Sequence, residues 1–113
     1  MQPEARKLVW DASEAVARIR EFVAGKTLQA YESDRMLSSA VERQLEIVGE
    51  ALHRLSRADP EAARSIEEIG RIVGMRNVLA HGYASVDNRL VWDVVTSKLE
   101  RLAVQLEGLA RES

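Results

Sequence analysis

Apolar positions recur at three- and four-residue steps through most of this chain, the period of amphipathic helices rather than of strands. Leu8, Ala12, Ala15, Ile19 and Phe22 follow that step with Arg6, Glu14, Arg18 and Glu21 between them, which predicts a helix from Glu4 to Val23 with Pro3 suited to its first turn. Gly25 breaks the pattern, and Thr27 to Tyr31 reads as a connector or a single turn. Ser33 or Asp34 can cap a second helix from Asp34 to Leu55, whose stripe of Leu37, Val41, Leu45, Val48, Leu52 and Leu55 is widened by Ala40, Ile47 and Ala51. So wide an apolar arc needs neighbours on more than one side, in a bundle or at a dimer interface.

Asp59-Pro60-Glu61 reads as a turn followed by a helix start, and Ser65-Ile66-Glu67-Glu68 fits a capping box. A third helix then runs through Ile69, Ile72, Val73 and Leu79, with Gly82 placed to end it in a left-handed conformation. Gly70 and Gly74 weaken its interior, which is tolerable if another backbone packs close there. Asp87-Asn88 can cap a last helix from Arg89 to Leu109, with Val91, Val94, Val95, Leu99, Leu102, Leu106 and Leu109 as its core side. The expected fold is all-α: one domain over residues 1–113, an antiparallel bundle of four main helices with short connections.

Composition agrees with an aliphatic bundle, with 46% hydrophobic, 30% charged and only 4% aromatic residues. The chain has no cysteine, which removes disulfides, thiolate metal sites and cysteine nucleophiles and fits a reducing cytoplasm. No basic segment followed by an apolar run opens the chain, and charges interrupt every apolar stretch, so neither a signal peptide nor a membrane span is expected. Sixteen basic against eighteen acidic residues leave a net charge of −2, which argues against coating nucleic acid by bulk electrostatics while allowing local recognition of a phosphate.

The chemistry concentrates in Arg76-Asn77-Val78-Leu79-Ala80-His81-Gly82-Tyr83. Arginine offers a permanent forked donor for phosphate oxygens, and histidine moves protons near neutral pH. Together they can cleave RNA without a metal, because the attacking 2′-hydroxyl belongs to the substrate. On a continuous helix, residues five apart point about 140° from one another, whereas Asn77 and His81, four apart, share a side. Either the helix ends or distorts before His81, or a second copy of the chain supplies part of the site. The same residues also fit a plain helix end, with His81 and Tyr83 packing across the bundle and Arg76 solvated or paired to a carboxylate.

Gly74-Met75-Arg76-Asn77 through His81-Gly82-Tyr83 resembles the motif of the HepT-like family of HEPN domains. Ile47-Val48-Gly49-Glu50-Ala51 is similar to that family's second-helix signature, and Val86-Asp87 with Val91-Trp92 to its lead into the final helix. Asp11, Phe22 and Asp34 also match, so the likeness covers nearly the whole chain. The resemblance implies a dimeric antiparallel bundle of four to five helices in the cytoplasm that acts as a metal-independent ribonuclease toxin and needs no cofactor. It implies a composite site at the dimer cleft, with Arg76 stabilising phosphate, His81 as acid or base, and Asn77 orienting the phosphate or the histidine. It further implies an MNT-type minimal nucleotidyltransferase antitoxin as partner, which transfers AMP from ATP to Tyr83.

Other readings compete. Glu50-Ala51-Leu52-His53, with Glu46 one turn earlier, has the Glu-x-x-His spacing of di-iron bundles, but one chain supplies a single copy. Trp10 and Trp92 read as packing residues at bundle ends, since no basic cluster surrounds either. The alternative to an enzyme is a non-catalytic dimeric module that binds a nucleotide or a nucleotidyltransferase through the same cleft.

Overall fold

Pro3 opens helix α1, Pro3–Val23, where its missing N–H is one that a helix start leaves unpaired. The computed structural model describes residues 1–81 and 86–112, with only the backbone at His81. Ala5, Leu8, Val9, Ala12, Ala15, Val16 and Ile19 turn inward from α1, and Gly25 ends the segment at φ +72°, in the left-handed region that glycine enters without strain. The expected connector is itself helical: α2, Leu28–Ser33, is capped by Thr27, whose hydroxyl accepts the Ala30 N–H at 3.1 Å.

Helix α3, Arg35–Ala58, is capped by Asp34 rather than Ser33, the Asp34 carboxylate accepting the Leu37 N–H at 3.0 Å. It is the central element, packed against α1, α2, α5 and the short α4, Pro60–Ala63. Val41, Leu45, Val48, Leu52 and Leu55 are fully buried. The wide stripe of α3 is therefore covered largely within one chain and does not by itself call for a second copy.

The expected capping box at Ser65 does not form. The Ser65 hydroxyl donates backward to the Ala62 carbonyl at 2.7 Å, Ile66 is drawn into the core, and Glu68 takes a left-handed φ of 56°. Only then does α5 begin, Ile69–His81. The turn is tied to the end of the chain instead: the Glu67 N–H donates to Gln105 at 3.1 Å, and Glu68 pairs with Lys98 at 3.0 Å. Gly70 and Gly74 are exposed, and a Cβ added at either would meet nothing within 4 Å, so no backbone of the described residues packs close there.

The predicted last helix is two, α6 (Asn88–Ser97) and α7 (Leu99–Arg111). Thr96 donates to the Trp92 carbonyl at 2.8 Å and Ser97 to the Asp93 carbonyl, back-bonds of the kind that bend a helix, and the break follows at Lys98. The core stripe nevertheless runs across it from Val91 to Leu109. Trp92 packs as expected, its ring 5.3 Å from that of the buried Tyr31. Trp10 does not: it is 60% exposed on α1, with the Lys7 ammonium 5.9 Å from its ring. The described residues form an all-α bundle without strands, and none of their helices is long and apolar enough to cross a membrane. Gly82, expected to end α5, lies outside the described residues.

Candidate active site

Ile72, Met75 and Leu79 repeat at three- and four-residue steps and bury one side of α5. Arg76 shares the Ile72 side of the helix, four residues on, and this turns it toward α3. There its Nη1 donates to the Glu50 carboxylate. Glu50 also accepts from Arg54 Nε at 3.0 Å, so one carboxylate serves two guanidinium groups. The hydrogen bond from Arg76, with a smaller contribution from Arg54, holds the Glu50 carboxyl below its ordinary value of 4.5 and keeps it anionic at neutral pH.

The Arg76 side chain is 24% exposed, and its Nε is buried with no hydrogen-bond partner among the described residues. Its outer edge borders an open hollow of about 280 Å³ between α3 and α5, which Arg43, Ile47, Asn77 and Ala80 also line. Asn77 is exposed at the rim. The hollow is not a bare cationic groove, because Arg43 pairs with Glu46 at 3.5 Å as Arg76 pairs with Glu50. A phosphate entering it would compete with a carboxylate for Arg76.

α5 continues without a break through His81, so the first of the two geometric alternatives, an early helix end, does not hold. His81 lies about 140° round the axis from Arg76 and about 7.5 Å along it. Its backbone position falls on the side of α5 marked by exposed Gly74, Asn77 and Val78, away from α3. Within one chain, then, the helix turns Arg76 into the hollow and puts Asn77 at its rim, and the His81 backbone position lies beyond that rim, on the Asn77 side of α5. The His81 side chain and Tyr83 lie outside the described residues.

The Glu-x-x-His step does not build a metal site. Glu46 and Glu50 are both engaged by arginines, and no cluster of three His, Cys, Asp or Glu residues among those described is placed to hold an ion. Glu50 was legible only as a possible metal ligand and as part of a family signature. A carboxylate partner for Arg76 was one of the readings, but the sequence did not say which; it is Glu50, beside which lies Gly49. The available signal was a glycine inside the apolar stripe of a long helix, which marks a close backbone approach.

The family described as ribonuclease HepT-like matches residues 12–109, nearly the full length of the chain. The chain belongs to the HepT-like ribonuclease family. A relative from Thermococcus cleftensis named as a probable ribonuclease HepT is 32% identical over 105 residues, covering 89% of this chain and 91% of the relative. Proteins named as candidate RNases are similar too. One from Caldanaerobacter subterraneus is 29% identical over 92 residues, 81% of each chain. Another, from Methanocaldococcus jannaschii, is 26% identical over 104 residues, 92% of this chain and 94% of the relative. No solved structure matches. The family and the names of the relatives support a ribonuclease of the HepT type.

Proposed function

We propose that this HepT-like chain is a metal-independent endoribonuclease, the toxin of a toxin–antitoxin pair, working as a cytoplasmic homodimer on RNA. The observation that carries the reading is the division of the motif by an unbroken helix. Arg76 is held half-buried at a solvent-open hollow, while His81 is carried to the exposed side of α5. A second copy that presents its His81-bearing side to the hollow can complete what one copy separates.

In this mechanism the substrate 2′-hydroxyl loses its proton to a base and attacks the adjacent phosphorus. The new O2′–P bond forms as the P–O5′ bond breaks, and the leaving 5′-oxygen takes up a proton, which gives a 2′,3′-cyclic phosphate and a 5′-hydroxyl. His81 transfers a proton, a contribution worth on the order of 10²- to 10⁴-fold. Arg76 leaves Glu50 in part to bind the phosphate oxygens and stabilise the pentavalent charge. Asn77, exposed at the rim, orients the phosphate or the histidine. AMP transferred from ATP to Tyr83 by an MNT-type nucleotidyltransferase antitoxin adds bulk and negative charge beside the cleft, which blocks and repels RNA.

The pairing of Arg76 with Glu50 favours a second reading, a non-catalytic module binding a nucleotide or the nucleotidyltransferase, because the resting arginine is already neutralised. Incubation with RNA in excess chelator separates the two. The ribonuclease reading expects cleavage by the wild-type chain and its loss, by at least about 10²-fold, in Arg76→Ala and His81→Ala. Cleavage that survives both substitutions, or that never occurs, leaves the binding module.

A further inference from the structure

Gly49 sits in the buried stripe of α3, flanked by Val48 and Leu52, both fully buried. Glycine is among the poorest helix formers, so its place deep inside a 24-residue helix asks for a physical reason. A Cβ built at Gly49 would lie 2.7 Å from the Cβ of Arg76, and 3.4 Å from both its Cγ and the carbonyl oxygen of Ile72. Carbon atoms pack at about 3.5–4.0 Å, so this is a clash. Moreover, the atom struck is Cβ, fixed to the α5 backbone. No rotamer change of Arg76 relieves it; the helix must retreat. Gly25, Gly70, Gly74 and Gly108 meet nothing within 4 Å, which sets Gly49 apart among the described glycines.

We propose that Gly49 is a positioning residue for Arg76: its missing side chain lets α5 seat the arginine's Cβ against α3 and so delivers the guanidinium to Glu50 at the wall of the hollow. The consequence for catalysis rests on the ribonuclease reading; the consequence for geometry does not. Restoring ordinary contact after adding a methyl requires α5 to move by about 1 Å at Arg76. A misplacement of that size in a catalytic group costs on the order of 10²-fold in rate.

The test uses full-length wild-type, Gly49→Ala, Arg76→Ala, Arg76→Gly and the double variant Gly49→Ala/Arg76→Gly, with Glu50 carboxyl titration followed by NMR beside RNA cleavage. Since Arg76 is the first cause of the low Glu50 pKa, displacing it returns that pKa toward the ordinary value. The expected result is that Glu50 in Gly49→Ala titrates near its Arg76→Ala position and that cleavage falls about 10²-fold, chiefly in kcat. The double variant lacks the struck Cβ and should cleave no more slowly than Arg76→Gly alone. A folded Gly49→Ala chain with wild-type Glu50 titration overturns the proposal, as does a double variant slower again by the Gly49→Ala factor. If Gly49→Ala does not fold, Arg76→Gly in that background removes the atom it strikes. Recovered folding supports the proposal, and failure to recover overturns it. A wild-type chain that cuts no RNA defeats the ribonuclease reading while the titration still decides the role of Gly49.

Discussion

Arg76 and Glu50 meet across the packing surface of α3 and α5, a guanidinium and a carboxylate 26 positions apart in the chain. The pairing lowers the Glu50 pKa from its ordinary 4.5, so the stability it contributes is complete above that value and is lost as pH falls through the lower, folded value. Glu50 is 42% exposed, which limits the pair to at most about 1 kcal/mol, or about 4 °C in Tm for a domain of this size. Thermal unfolding of wild type and Glu50→Gln should therefore differ by a few degrees near neutral pH and converge as pH falls below the lowered Glu50 value. A gap that stays constant across that range rules the ion pair out as its cause.

Tyr31 and Tyr83 are the two tyrosines of the chain, and of these Tyr31 is among the described residues. Tyr31 is fully buried against Trp92, and burial, with the Glu42 charge adding to it, raises its phenol pKa well above the ordinary 10. Its hydroxyl has no hydrogen-bond partner among the described residues. Tyr31→Phe should leave stability unchanged or raise it by about 1 kcal/mol in urea unfolding; a loss of that size would reveal a partner for the hydroxyl.

The same burial bears on the proposed modification. After coexpression with a minimal nucleotidyltransferase, mass spectrometry should find AMP-sized additions on wild type and Tyr31→Phe and none on Tyr83→Phe. Additions that persist on Tyr83→Phe contradict Tyr83 as the acceptor.

Much of the bundle was legible because hydrophobic period survives local irregularity. The stripe from Val91 to Leu109 reads as one helix, and it does form one continuous core side. The break at Lys98 was not legible, since the back-bonds of Thr96 and Ser97 bend the backbone without disturbing the period. The glycines misled for a related reason. Gly70 and Gly74 lie beside the motif and suggested close packing, but the close approach is at Gly49, where a tertiary contact with Arg76 decides the matter. Glu50 looked like a metal ligand because spacing shows only neighbours along its own helix, whereas its main partner comes from another. Trp10 was expected to pack because no basic cluster surrounds it, and nothing in its own neighbourhood of the sequence signalled that α1 would leave it outside.

Leu52 tests the core independently of the site. It is fully buried on the central helix α3, so Leu52→Ala should lose about 2–5 kcal/mol in urea unfolding. Val104, 59% exposed on α7, should tolerate alanine within about 0.5 kcal/mol. Equal losses at the two positions would contradict the packing of α3 described above.

The angular separation of Arg76 and His81 gives the composite site a test that needs no knowledge of the RNA target. In a two-fold dimer with two equivalent sites, each taking Arg76 from one chain and His81 from the other, Arg76→Ala and His81→Ala homodimers both lack a complete site. A mixed dimer has one site missing both residues and one site intact. Mixing the two variants in equal amounts with full subunit exchange makes half the dimers mixed, each with one of its two sites restored, so cleavage should recover to about a quarter of wild type. A site that draws both residues from the same chain recovers nothing, since every chain in the mixture lacks one of them. Measuring cleavage before and after exchange therefore separates the two arrangements, and an unchanged residual rate would remove the shared site while leaving the chemistry of each residue open to the single-variant assays.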